Sequence, residues 1–195
     1  MWEVVAEYFN LFRYGTDQSN YVSTGSGISR KAPDAQRQQA FLRSAMTSDV
    51  NLGDSCGVDA LFDQWRSYSV YFEPLQLRLR RVSKVSDRFL WASATLSVTI
   101  SEITIQNVFP HISAGHISLK RQERLSCIRL ALLNKRLILP YRLCFEWDDT
   151  RNRVVRILTT LDFFSPILHA VKSIEDAALV LQHARINLNG VIHNI

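Results

Sequence analysis

Phe145-Glu146-Trp147-Asp148-Asp149-Thr150-Arg151-Asn152-Arg153-Val154-Val155 is the stretch whose reading decides the fold. Its centre, Asp148 to Asn152, is turn chemistry, because short polar side chains there bond their own backbone. Upstream, Leu137, Leu139, Tyr141, Leu143, Phe145 and Trp147 occupy alternate positions, with Arg142 and Glu146 among the residues between them. That alternation predicts a long strand with one apolar face. Downstream, Val154 to Thr160 returns the chain, so the whole reads as a β-hairpin.

Two more strand patterns precede it. Leu75, Leu77 and Leu79 alternate with Gln76, Arg78 and Arg80, and Leu90 to Ile100 alternates over a run long enough to predict a bend or bulge. Helical spacing appears in residues 2–14, where Gly15 supplies the stop, and from Pro33-Asp34 to about Met46. After the turn residues Asn51 to Gly57, with Asp54 or Ser55 as a cap, Val58, Leu61, Phe62, Trp65, Tyr68 and Phe72 form one helical stripe. Shorter helices are expected over Ile103–Phe109 and 163–171, a basic amphipathic one over Ser118–Leu133, and a last one from Ser173 to about Ala184. Helices first, then antiparallel strands interrupted by one helix, is an α+β order. The expected organisation is one domain: an N-terminal helix (1–15), a flexible loop (16–33), the α+β body (34–185) and a C-terminal tail (186–195).

Composition narrows the function classes. With 195 residues, 47% hydrophobic and 21% charged, the chain can bury a core without metal or disulfide staples. Three cysteines and no Cys-x-x-Cys pair argue against a disulfide framework or zinc site and for an intracellular location, nuclear or cytoplasmic. No apolar run reaches the roughly 18 residues of a membrane span, so no membrane partner is expected. The net charge of +5 rests on 18 arginines against 5 lysines, scattered as Arg78/Arg80/Arg81, Arg121/Arg124/Arg129 and Arg151/Arg153/Arg156. Nucleic-acid binding requires these clusters to converge, and the bland reading is a solvated outer surface.

The run Gly57 to Trp65, the hairpin Phe145-Glu146-Trp147-Asp148…Arg153-Val154-Val155 and the strand end Leu161-Asp162 together resemble the SnoaL-like branch of the nuclear-transport-factor-two-like superfamily. That resemblance implies a cone-shaped, curved antiparallel sheet packed against several helices, with a central pocket. A second resemblance rests on Tyr8 to Gly15, Gly57 to Leu61, Asn107-Val108-Phe109-Pro110-His111 and Phe145 to Asp148. These look like a domain found in oomycetes at the C-terminal side of basic leucine zippers (bZIP), in proteins described as transcription factors. It implies a regulatory or dimerisation module, with a homodimer or another protein as partner. These 195 residues contain neither a basic region nor leucine heptads, so direct DNA binding by them is not expected.

Site candidates follow the same division. The SnoaL resemblance implies that Asp162 is an acid/base, with Tyr141 as a hydroxyl donor; the alternative is that Asp162 caps the helix after it. Trp65, Tyr68, Trp91, Tyr141 and Trp147 are aromatic candidates for lining a pocket around a small apolar ligand, or else for ordinary core. Tyr141, alone among leucines on its strand face, is the strongest of them. His111 and His116 lack both metal-site spacing and an acidic third ligand. Gly25-Ser26-Gly27 is too short to cradle a phosphate, and Cys127 reads as a small core residue. No motif asks for a cofactor. A non-catalytic module is therefore the leading expectation, and a small SnoaL- or ketosteroid-isomerase-like enzyme the alternative.

Overall fold

The computed structural model describes residues 1–16, 35–113 and 119–193. Helices α1 (Trp2–Leu11) and α2 (Ala35–Ala45) lead into β1 (Met46–Asn51) and α3 (Val58–Tyr71). The antiparallel run β2 (Gln76–Lys84) and β3 (Phe89–Thr99) follows, then α4 (Glu102–Val108), a single 3₁₀ turn (Pro110–Ile112) and α5 (Leu119–Leu132). The long hairpin β4 (Arg136–Asp148) and β5 (Arg153–Leu161) leads to α6 (Phe164–Val171) and α7 (Ile174–Gln182). The loop expected over 16–33 and the glycines at 25 and 27 lie, apart from Thr16, outside the described residues, as does His116.

The strands form one sheet in the order β1-β5-β4-β3-β2. The expected antiparallel pairing holds across β5, β4, β3 and β2. At the other edge β1 pairs with β5 in parallel. The sequence predicts a helix to about Met46 and a turn from Asn51, and assigns residues 47–50 to neither. Three buried side chains, Met46, Thr47 and Val50, instead hold this piece against β5, a long-range pairing with no local signature. The ladder shifts register between Leu79 and Arg81 on β2 and between Glu146 and Trp147 on β4. Bulges of this kind bend a sheet. The irregularity expected in β3 is thus carried by its neighbour.

Local chemistry explains the element ends. Ser101 and Thr104 form a reciprocal capping box on α4. Ser173 accepts the Asp176 amide at the start of α7. In the hairpin, Asp148 accepts the amides of Thr150 and Arg151, and Asn152 takes a φ of 53°.

The core has two contiguous parts. The inner faces of β3 and β4 pack against α1 and α3 around Tyr8, Phe12, Trp65 and Phe145. Beyond them, Ile105, Val108, Phe109, Leu125, Ile128, Ile167 and Val180 from α4 to α7 close the far end. Cys127, expected inside, is exposed on α5. It lies one position from Ile128, and the narrow apolar stripe of that helix leaves it on the wet side.

The C-terminal tail folds back over the open end of the sheet. A bridge joins Ile186 to Ile192, and both are buried. The Leu161 amide donates to the Leu188 carbonyl at 3.3 Å, and the Thr159 hydroxyl to the Asn189 carbonyl at 2.7 Å.

Candidate functional site

The interior of the cone is where a pocket was expected, and aromatic side chains meet there. Phe12 stacks on Trp65 with centroids 5.2 Å apart, Tyr68 on Phe72 at 5.5 Å, and Tyr8 meets Phe145 edge-on at 5.6 Å. The helical spacing of α1 and α3 aims these rings at the inner face of β4, which presents Tyr141, Leu143 and Phe145. Buried Tyr and Trp need partners for their polar tips. The Trp65 indole N–H donates to the Tyr8 hydroxyl at 2.9 Å. The Tyr68 hydroxyl donates to the Gly190 carbonyl at 2.5 Å, and Gln64 donates to the same oxygen at 3.0 Å.

Gly190 makes that latch. Its φ of +80° is glycine territory, and a Cβ there would stand 2.7 Å from the Tyr68 hydroxyl oxygen. Burial pushes the phenols of Tyr8, Tyr68 and Tyr141 well above their ordinary value. The charge of Tyr8 would raise Tyr68 and Tyr141 further, which places the three phenols in one electrostatic neighbourhood.

The structure therefore brings together Trp65, Tyr68 and Tyr141, and Trp147 is buried on the same face of β4 as Tyr141. It sets Trp91 apart. Trp91 lies on the outer face of β3, 40% exposed, because it has the opposite parity to the buried Leu90 and Ala92. The proposal that it lines the interior pocket is corrected by that parity. Asp162 sits at the sheet-to-helix corner. Its carboxylate accepts the Ser165 amide at 3.0 Å, the bond of a helix cap, and its own amide donates to the Pro140 carbonyl at 3.0 Å. Tyr8 and Gly190 were not singled out as site residues. Tyr8 was visible as the first residue of the run Tyr8 to Gly15, not as a site residue, and Gly190, in a segment without periodicity, gave no local signal.

The outer face carries a second arrangement. Trp91 pairs with Cys144, and Cys144 with Leu158, which sets these three in one row across β3, β4 and β5. Leu158 is 45% exposed, and Ile138, further along the same face, 59%. Arg142 lies between, exposed, while Glu146 Oε2 stands 3.1 Å from Arg156 Nη1 without accepting a hydrogen bond. Burial, and then the Glu146 charge, push the Cys144 thiol up.

Register sets Arg81, Ser93 and Arg142 in one row of the outer sheet face, whereas other arginines are engaged within the chain. Arg124 pairs with Asp176 at 2.5 Å and Arg129 with Glu102 at 2.6 Å. Arg156 pairs with Glu146, and Arg153 donates to the carbonyls of Arg43 and Met46. His111 bonds the Leu179 carbonyl at 3.0 Å and meets the His183 ring edge-on, its pKa lowered first by burial. Among the described residues no group of three His, Cys, Asp or Glu side chains could hold a metal, and no helix is long and apolar enough to cross a membrane.

A SnoaL-like polyketide cyclase from Agrobacterium tumefaciens str. C58 superimposes with a TM-score of 0.52, covering 85% of this chain and 93% of its own, at 9% identity. The fold is SnoaL-like. TsrD from Streptomyces laurentii is similar to the same extent, with a TM-score of 0.50 over 87% of this chain and 95% of its own, at 11% identity. Such low identities carry the SnoaL-like fold and no activity. Residues 2–71, which hold α1, α2, β1 and α3, match the family model described as the bZIP transcription factor 1 C-terminal domain. No curated protein sequence matches the chain.

Proposed function

We propose that this SnoaL-like chain is a non-catalytic regulatory module that pairs with a second copy of itself through the outer face of its sheet. The observation that carries the reading is the row Trp91, Cys144 and Leu158, in which Trp91 is 40% and Leu158 45% exposed and Cys144 is half-buried, on a sheet face along which Ile138 also stands open. Contiguous apolar side chains on a sheet face favour a partner over water. A two-fold arrangement is self-complementary here: Arg142 of one copy can face Glu146 of the other, which keeps its own ion pair to Arg156 at 3.1 Å.

The interior supports the non-catalytic half of the reading. Acid/base chemistry would need Asp162 turned into the cone beside Tyr141, and the carboxylate instead accepts the Ser165 amide. Rings occupy the space between α1, α3 and β4, and the Tyr68–Gly190 latch joins α3 to the tail. The family match over residues 2–71 supports a module attached to a transcription factor, acting in the nucleus or cytoplasm, with DNA recognition assigned to other residues.

Alkylation of the three cysteines tests the pairing. Cys144 lies within the proposed interface, whereas Cys56 and Cys127 are exposed elsewhere. The reading predicts that labelling of Cys144 slows as protein concentration rises while the other two hold their rates. A Cys144 rate independent of concentration contradicts it.

A further inference from the structure

We propose that the outer face of the sheet binds single-stranded RNA. Three arginines converge there. Arg81 pairs with Ser93 across β2 and β3, and Ser93 with Arg142 on β4, so two guanidinium groups flank one hydroxyl in a single row. Neighbouring strands stand about 4.8 Å apart, which puts the two arginine backbones roughly 10 Å from each other. In the adjoining row of the same face Arg78 pairs with Thr95. Arg78 and Arg81 are three residues apart and would have opposite parity in a regular strand. The irregularity between Leu79 and Arg81 is what turns both onto one face.

These charges are uncompensated. Arg78, Arg81 and Arg142 are exposed and make no ion pair among the described residues. The acids bordering the face are already engaged, Glu146 with Arg156 at 3.1 Å and Asp162 with the Ser165 amide at 3.0 Å. On the other side of the arginine row stands Trp91, two residues along β3 from Ser93 and 40% exposed. The face therefore runs from an indole, through guanidinium groups around a hydroxyl, to a third guanidinium.

Chemistry selects the occupant. Guanidinium forks take phosphate oxygens, and an indole stacks on any base whose face is free. A duplex keeps its base faces inside the stack, and an acidic peptide leaves the indole without a base. The exposed Ser93 hydroxyl accepts as well as donates. Phosphate and deoxyribose offer that acceptor no proton, whereas the ribose 2′-hydroxyl does. The site does not rest on the pairing proposed above, but it shares Trp91 and Arg142 with it, so a bound strand excludes the second copy.

The test is anisotropy of a labelled mixed-sequence RNA of about 12 nucleotides, within the roughly 4–16 that a single sheet-based site covers, titrated with the full chain. DNA of the same sequence, its duplex and a glutamate-rich peptide serve as the other probes. The proposal predicts that RNA binds most tightly, with a log affinity that falls with log salt at a slope of about 2, roughly 0.7 for each of three phosphates. Arg78→Gln/Arg81→Gln should lose at least about tenfold in affinity and lower the slope to about 0.7. Trp91→Ala should lose about tenfold and keep the slope, because a stacked base carries no charge. All three positions are exposed, so the variants should keep the wild-type circular dichroism spectrum. Leu158→Gln, in the pairing row and away from the arginines, should weaken self-association and leave RNA affinity unchanged, so either reading can fail alone. The absence of RNA binding at about 50 mM salt, or equal binding by the double arginine variant, overturns the proposal. So does DNA, duplex or peptide that binds as tightly as the RNA.

Discussion

Strand β4 has two faces that differ in almost every respect. Its inner face, Leu137, Leu139, Tyr141, Leu143, Phe145 and Trp147, is buried throughout. Its outer face, Ile138, Pro140, Arg142, Cys144, Glu146 and Asp148, mixes apolar with charged groups and stays partly or fully open. Against the inner face pack Trp65 and Tyr68, whose polar tips find partners inside the chain, Trp65 with Tyr8 and Tyr68 with Gly190. On the outer face the row Trp91, Cys144 and Leu158 stays open or half-open to solvent.

The contrast breaks most completely at high pH. Tyr8, Tyr68 and Tyr141 are buried with phenol pKa values raised above the ordinary 10.0. The unfolded chain ionises near that ordinary value while the folded chain resists. The stabilisation is therefore whole below about pH 10 and lost as pH rises beyond it. Tyrosinate absorbance and circular dichroism should change together in one cooperative alkaline transition. Early ionisation of all six tyrosines with the fold intact would mean the interior is open to water.

Phe145→Ala removes a fully buried ring that meets Tyr8, and should destabilise by about 3–5 kcal/mol in urea unfolding. Gly190→Ala forces a Cβ against the Tyr68 hydroxyl in a left-handed backbone, at a cost of about 1–3 kcal/mol. A neutral outcome there would show that the tail is not latched.

These residues also show what was legible in advance. The hairpin, β2, β3 and the stripe on α3 were readable because alternation and helical spacing report directly which face is buried. The residues Trp65, Tyr68 and Tyr141 were readable as aromatic but not as one cluster, since only the fold decides which rings meet. Trp91 was misplaced when its aromatic chemistry was weighed above its strand parity. β1 and the Gly190 latch were invisible because both depend on partners more than a hundred residues away in the chain.

Smaller effects separate the two faces further. Asp162→Ala should cost about 1 kcal/mol, the loss of a cap, in the same unfolding assay, and Asp162→Asn less. Trp91→Asp should leave monomer stability within about 0.5 kcal/mol, because the side chain is already 40% exposed, while abolishing self-association.

Sedimentation velocity of the wild-type chain over a rising concentration series, beside Trp91→Asp, tests the central claim most directly. The account predicts that the wild type shifts from the 22.4 kDa monomer to a dimer while the variant remains monomeric. A wild-type chain that stays monomeric at the highest concentration, or a variant that dimerises equally well, would contradict it.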